Sequence, residues 1–336
     1  MASPRSAVCG RWSVAERMAK VSLPPFAEDL GHGIYAVDTG FMRERFDAAY
    51  LMVGEGRAAF VDTGPNLALP RLLATLDALG LARDAVDWVI PTHVHLDHAG
   101  GAGALMQALP TATLLVHPRG ARHLIDPSRL YAGALAVYGQ TEMDRSYGTL
   151  VPIPGERVRT TEDGQELNWA GRRLRFIDTP GHALHHHCLW DETSRGWFTG
   201  DTFGLSYREF DTPRGAWIVP TSTPVQFDPV ALRASILRLL DAAPACMYLT
   251  HFGVVRDVPR LGVLQLSLLD AVVEIGRRCP PGPDRHQNLK EALRTLYLDS
   301  LTDHGVRMSR EQMAELLTVD IELNAQGMAV WLDRSG

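Results

Sequence analysis

Thr92-His93-Val94-His95-Leu96-Asp97-His98-Ala99-Gly100-Gly101 decides how this chain is read. Three imidazoles and a carboxylate fall within six positions, directly after the apolar run Trp88-Val89-Ile90. Such a cluster is poor core material and poor helix material, but neutral imidazole and ionised carboxylate are common ligands for zinc and similar first-row metals. In an extended segment residues i and i+2 point to the same side, so His93 and His95 can grip one ion together. Asp97 and His98 follow where Leu96 to Leu109 takes up helical spacing through Leu105, Met106 and Leu109. Their side chains therefore leave in another direction, toward a second ion. Gly100, Gly101 and Gly103 are expected to let backbone come close to a metal or ligand.

One loop cannot complete two sites, so the missing ligands are sought where later apolar runs end in a polar residue. Leu174 to Gly181 delivers His182, Gly196 to Gly200 delivers Asp201, and Ala245 to Thr250 delivers His251. An earlier run, Ala58 to Val61, ends at Asp62 within VDTGP.

With its ordered motifs VDTG, HVHLDH, PGH, TGD and THFG, spread over roughly residues 31–255, the chain resembles the metallo-β-lactamase-fold hydrolase superfamily, especially its glyoxalase II-like branch. The resemblance implies that His93, His95 and His182 hold a first metal. Asp97, His98 and His251 would hold a second, with Asp201 bridging both. It also implies that Asp62 is buried behind the ligands and orders their loop. His185, in the run His185-His186-His187, resembles a histidine that accompanies the ligands in related hydrolases and is expected to support a ligand or the substrate.

Departures from the family pattern narrow the branch. Asp201 stands where the true β-lactamases commonly have cysteine, and His95 where di-iron oxygen-reducing members have glutamate. Gly204 stands where quorum-signal lactonases often have tyrosine. Nuclease branches need an added nucleic-acid-binding region or a basic surface, and the sequence offers neither.

The chain has 336 residues, a formal net charge of −6, 46% hydrophobic and 21% charged residues, an ordinary globular balance. No long run of like charges is present, which argues against nucleic acid as a partner. No apolar stretch of about 18 residues spans a membrane. The first 22 residues lack a hydrophobic signal core. Four scattered cysteines without a CxxC pair fit reduced thiols in a cytoplasm.

These readings give an α/β fold, an αββα metallo-β-lactamase-type sandwich with a C-terminal helical extension. Residues 1–22 are expected to form a flexible extension, 23–258 the catalytic domain and 259–336 the helical extension. Within the domain, short strands are expected at 33–37, 48–53, 58–61, 88–90, 113–116, 172–177, 197–198 and 247–250, with helices at 67–79 and 229–240. The echo between Phe60-Val61-Asp62-Thr63-Gly64 and Phe176-Ile177-Asp178-Thr179-Pro180-Gly181 hints at two similar halves. Residues 127–154, rich in tyrosine and glycine, read equally as a lid over the site or as a connecting excursion. The C-terminal helices read as a shaper of substrate access or, with equal weight, as a homodimer surface or buttress. Ser309-Arg310-Glu311-Gln312 has the spacing of a capping box, and Pro280-Pro281-Gly282-Pro283 breaks the helix before it.

The expected chemistry is hydrolysis of a small acyl substrate, a thioester or related ester, by a hydroxide bridging two divalent ions. Zinc is the first choice, with iron or manganese as alternatives. Asp97 would orient the nucleophile, and a net positive centre would favour an anionic substrate. Lactone or phosphodiester hydrolysis, a di-iron redox or oxygen-binding role, and a regulatory role on the same fold are the competing readings. Cys188, close to a ligand in sequence, is expected to be buried packing.

Overall fold

The computed structural model describes residues 22–222 and 224–335. The expected N-terminal extension, apart from Ser22, lies outside the described residues. β1 (Ala27–Asp29), β2 (Ile34–Asp38), β3 (Ala48–Gly54), β4 (Arg57–Val61), β5 (Val86–Ile90), β6 (Thr113–Val116) and β7 (Val158–Thr160) form one sheet in that order. Its first four strands pair antiparallel and its last four parallel. The parallel part is crossed by α1 (Leu69–Ala78), α2 (Leu96–Ala99), α3 (Ala102–Ala108) and α4 (Pro118–Ile125), then by α5 (Ser128–Tyr138) and α6 (Gln140–Glu142). The second sheet runs β8 (Glu166–Trp169), β9 (Arg172–Asp178), β10 (His187–Asp191), β11 (Gly196–Gly200), β12 (Cys246–Leu249) and β13 (Gly253–Val255). It is antiparallel except for the β11–β12 pair, joined by the crossover helix α7 (Pro229–Asp241). After it come α8 (Val258–Arg278), α9 (Arg285–His304), α10 (Arg310–Leu316) and α11 (Thr318–Ser335).

Strand alternation builds the layers. In β3, Ala48, Tyr50 and Met52 enter the core between the sheets, while Ala49 and Leu51 face the helices on the other side. In β12, Cys246 and Tyr248 face inward and Met247 and Leu249 outward. This period of two lets one strand serve two cores, provided both faces are apolar. Tyr50, Phe198 and Tyr248 join the sheets by ring contacts with centroids 4.6–5.6 Å apart. Tyr50 also donates its hydroxyl to the Leu249 carbonyl. The result is the αββα sandwich.

The outer helices follow from local chemistry. α7 starts where the Asp228 carboxylate accepts the Val230 and Ala231 amides at 3.0 Å and Pro229 fills the first turn. Ser309 and Gln312 form the expected capping box, and the proline-rich break separates α8 from α9. Leu261, Leu268 and Val272 of α8, Leu293 and Leu301 of α9 and Ile321 and Met328 of α11 share one core with Trp197 and Met247 of the second sheet. The C-terminal helices thus brace that sheet. Among the described residues no helix is long and apolar enough to cross a membrane.

Two expectations are corrected. The helix read from Leu67 begins as a 3-10 turn, Asn66–Ala68, before α1. The FVDTG and FIDTPG segments are not positional equivalents, since the first closes the fourth strand of its sheet and the second closes the second strand. The positional partner of Ile177-Asp178-Thr179 is Val37-Asp38-Thr39 at the end of β2. The fourth strand of the second sheet, β11, is followed instead by Asp201.

Candidate metal centre

The strand ends β4, β5 and β11 converge on the loop that follows β5, joined by the turn after β9 and by His251, two residues past β12. His93 Nε2 lies 2.8 Å from His95 Nδ1, and His182 Nε2 lies 3.1 Å from the same His95 nitrogen. Asp97, at the start of α2, puts Oδ2 3.3 Å from His251 Nε2 and 3.7 Å from His98 Nε2. Asp201 reaches both groups. Its Oδ2 is 3.3 Å from His182 Nε2, and its Oδ1 is 3.2 Å from His98 Nε2 and 3.7 Å from His251 Nε2. Three sets of donor atoms each fall within 4.8 Å of one another and could hold a metal: His93, His95, His182; Asp97, His98, His251; and His93, His98, Asp201.

Each ring is turned by a partner on its far side. The Asp62 carboxylate, 1% exposed, accepts the Thr92 amide at 2.7 Å, the Thr92 and Thr250 hydroxyls at 3.0 and 2.8 Å, and His98 Nδ1–H at 2.8 Å. Donating Nδ1–H to a carboxylate leaves His98 Nε2 with its lone pair toward the centre. His251 Nδ1 donates to the Phe46 carbonyl at 3.0 Å, and His182 Nδ1 pairs with Thr221 Oγ1 at 2.7 Å. His98 Nε2 and Asp201 Oδ1 are both buried and 3.2 Å apart, and with His98 neutral neither has a hydrogen-bond partner among the described residues. A buried lone pair and a buried carboxylate oxygen without partners are costly, and a cation between them satisfies both. The donor set fits a pair of divalent ions.

The electrostatics of the metal-free chain divide the imidazoles into two that are neutral and two that hold a proton a divalent ion would displace. Burial pushes His93 well below its ordinary pKa and His182 down to about 3, and the neighbouring imidazoles reinforce the shift for His93. Both are neutral near pH 7, the form that binds metal. Burial also opposes charge on His98 and His251, but Asp201 and Asp97 overcome it, raising His98 well above its usual range and His251 to about 9. Against burial, those imidazoles hold Asp97 down at about 2 and, with His182, Asp201 well below the carboxylate range.

The three consecutive histidines divide the work. His185 accepts the Val94 amide through Nδ1 at 3.4 Å and sets its ring against that of His95, centroids 5.5 Å apart. His186 is the one that reaches Asp201, its Nε2 accepting the Asp201 amide at 3.3 Å. His187 ties β10 to the ligand loop through the Pro91 carbonyl at 2.9 Å. Cys188 is fully buried, within 3.3 Å of Thr179 Oγ1, and burial pushes its thiol up to about 12. It is packing, as expected.

Glycines act differently from the expectation. A Cβ on Gly103 would meet the Val151 carbonyl oxygen at 1.8 Å, and one on Gly101 would meet that of Pro65 at 2.9 Å. At these two positions they let backbone approach backbone. Gly181, at φ +128°, would strike the Leu232 amide at 2.2 Å, and this contact seats the turn carrying His182 against α7. Any Cβ at Gly204 would meet the Val219 carbonyl oxygen at 2.3 Å, so a tyrosine there has no room.

Over the centre lies a cavity of about 340 Å³. His95, Asp97, Asp201 and His251 form its floor. Phe41, Phe46 and Leu205 wall it from the sandwich, and the 127–154 segment supplies Tyr138, Glu142, Arg145 and Tyr147. That segment is helical, α5 and α6 followed by a π-helical turn at Met143–Tyr147, and it roofs the site. α11 closes the remaining side with Val319, Asp320, Leu323 and Asn324. Thr221, Thr250, His186 and Asp320 were not singled out from sequence. Thr250 carried a signal, adjoining a ligand within THFG; Thr221 sits in an unpatterned stretch that gave none.

A family model described as the metallo-beta-lactamase superfamily matches residues 42–251, and the chain belongs to that superfamily. Among individual proteins, the metallo-beta-lactamase fold-containing protein ST1585 of Sulfurisphaera tokodaii is 26% identical over 233 residues, 66% of this chain and 79% of that protein. Its crystal structure superimposes with a TM-score of 0.63 at 23% identity, covering 89% of this chain and 99% of the other. A hydroxyacylglutathione hydrolase of Aeromonas hydrophila is 28% identical over 153 residues, 46% of this chain and 45% of the relative. An atrochrysone carboxyl ACP thioesterase of Aspergillus fumigatus is 28% identical over 172 residues, 51% of this chain and 40% of the relative. The match spans less than half the length of these last two.

Proposed function

We propose that this chain is a binuclear metal-dependent hydrolase of an acyl thioester or related ester. The observation that carries the reading is Asp201, whose two carboxylate oxygens face the His93–His95–His182 group and the Asp97–His98–His251 group respectively. Two divalent ions, zinc before iron or manganese for so imidazole-rich a set, would lower the pKa of a shared water and polarise a carbonyl.

The chain's own residues provide the rest. Asp97, held ionised and open to the cavity, is placed to orient the attacking oxygen by accepting its hydrogen bond. Asp62, Thr221 and the Phe46 carbonyl fix the imidazoles before substrate arrives, so little reorganisation remains at the reaction step. Phe41, Phe46, Tyr147, Leu205, Val319 and Leu323 offer an apolar seat for the acyl group and exclude bulk water. A thiolate leaves with little need of a proton, which suits a cavity in which we assign no separate general acid. The names of the thioesterase and hydroxyacylglutathione hydrolase relatives support the thioester class. Cys188, Cys246 and Cys279 are free thiols, in keeping with a cytoplasmic setting.

The test is the chain stripped of metal, reconstituted separately with zinc, manganese and iron, and assayed on acyl thioesters, lactones and phosphodiesters. Metal-dependent thioester hydrolysis is expected, with lactones slower. Iron occupancy with oxygen-dependent absorbance changes and no hydrolysis of any class overturns the proposal.

A further inference from the structure

The C-terminal helix brings a carboxylate to the cavity that the hydrolytic chemistry does not use. Asp320, in the first turn of α11, is 6% exposed and lines the same cavity as Asp97, Asp201 and His251. Its Oδ1 accepts the hydroxyl of the buried Tyr207 at 3.0 Å, which fixes the carboxylate plane. Its Oδ2 is buried and has no hydrogen-bond partner among the described residues. The position itself is firmly held. Tyr207 stacks on Phe46 at 5.4 Å, and Phe46 packs edge-on against His251 at 5.3 Å. Phe46, Leu205, Val319 and Leu323 are apolar wall, the charged Arg145 and Glu142 of the wall pair with each other at 2.6 Å, and the nearby Asn324 is spent on Ser222, Pro220 and Tyr297.

A buried carboxylate oxygen without a donor costs more than it returns unless a ligand completes it. We propose that Asp320 determines substrate specificity, its carboxylate accepting a hydrogen bond from a hydroxyl or ammonium group carried on an otherwise apolar acyl chain. This rests on the acyl-hydrolase reading and deepens it, giving the substrate an apolar body and one donor placed away from the scissile carbonyl. Losing a hydrogen bond to a charged group at such a site is worth roughly 10- to 100-fold in kcat/KM. The effect falls mainly on KM, because the bond is made in the ground state as well as the transition state.

The experiment uses zinc-loaded wild type, D320L and D320N with four N-acetylcysteamine thioesters: hexanoyl, 3-hydroxyhexanoyl, 6-hydroxyhexanoyl and 6-aminohexanoyl. Wild type is expected to prefer at least one donor-bearing chain over hexanoyl by about 10-fold or more. In D320L that ratio falls to near one at unchanged metal content. D320N keeps an acceptor for Tyr207 and so preserves the fold; in it any preference for the ammonium chain disappears. Equal hydrolysis of all four by wild type, or a preference that survives in both variants, overturns the assignment. If no thioester turns over, the functional reading fails by itself. Calorimetry with hexanoic, 6-hydroxyhexanoic and 6-aminohexanoic acids then decides the role of Asp320, and equal affinities for wild type and D320N refute it.

Discussion

Replacing Asp62 by asparagine changes one atom of a side chain that is 1% exposed, yet it should disturb the second metal position. The asparagine oxygen can keep the Thr92 amide, now held at 2.7 Å. Its nitrogen then faces the Thr250 hydroxyl and His98 Nδ1, both at 2.8 Å from the present Oδ2. The hydroxyl can rotate to accept. The imidazole can accept only by moving its proton to Nε2, the atom that faces Asp201 Oδ1 at 3.2 Å. A ligand held in the wrong tautomer must give up that proton before binding. Loss of such supporting bonds typically weakens metal affinity about 10- to 100-fold, or about 1.4–2.7 kcal/mol. Competition with a chromophoric zinc chelator, run on metal-free wild type and D62N, reads this directly, with circular dichroism confirming an intact fold. One of two equivalents should weaken. If both bind within about twofold of wild type, the carboxylate does not set the tautomer and the reasoning fails.

Gly181→Ala places a Cβ 2.2 Å from the Leu232 amide at a φ of +128°, so the PGH turn must shift; zinc affinity at the His182 position should drop, and unchanged binding and thermal midpoint would count against it. Arg172→Ala strips the buried Asp191 of a bidentate partner at 2.8 and 3.0 Å, at the end of β10 away from the site. Urea unfolding should show a loss of about 3–5 kcal/mol, and a loss below about 1 kcal/mol contradicts it. Burial raises the Asp320 carboxyl from 3.8 to about 6, against the opposing pull of His251 and of its hydrogen bond from Tyr207. A raised carboxyl pKa favours the folded state at low pH, a contribution complete below about 3.8 and lost as pH rises through about 6. Wild type should therefore lose about 2 kcal/mol relative to D320N between pH 4 and 7. Parallel stability profiles for the two would show that burial is not acting on this group.

Much of this cluster could be read from the chain because the residues it brings together are local in sequence or end apolar runs. His93 and His95 alternate on an extended segment, Asp97 and His98 follow the turn into α2, and His182, Asp201 and His251 each follow a strand whose apolar pattern is plain. The layers were legible for the same reason, since β3 and β12 announce themselves by apolar residues on both faces and β9 by Leu174 and Phe176 on one. What escaped is set by tertiary placement. β1 is Ala27-Glu28-Asp29 and β7 is Val158-Arg159-Thr160, strands that exist because a neighbour offers them hydrogen bonds. The FVDTG echo misled because similar strand-end chemistry recurs at different positions in the two sheets. Asp320 looks, on its own helix, like an ordinary acid in a first turn, where the helix dipole welcomes it. Only the packing of α11 against the second sheet turns it toward the cavity rim.

The central claim is that two metal ions held around Asp201 make this chain a hydrolase. Its most direct test is a zinc titration of the metal-free protein, with bound equivalents and thioester hydrolysis measured on the same samples. The account predicts binding that saturates at two equivalents per chain and activity that is absent without metal and complete only as the second equivalent binds. Saturation at two with both lost in Asp201→Ala would join the stoichiometry to that residue. Full hydrolysis by the metal-free protein would contradict the account.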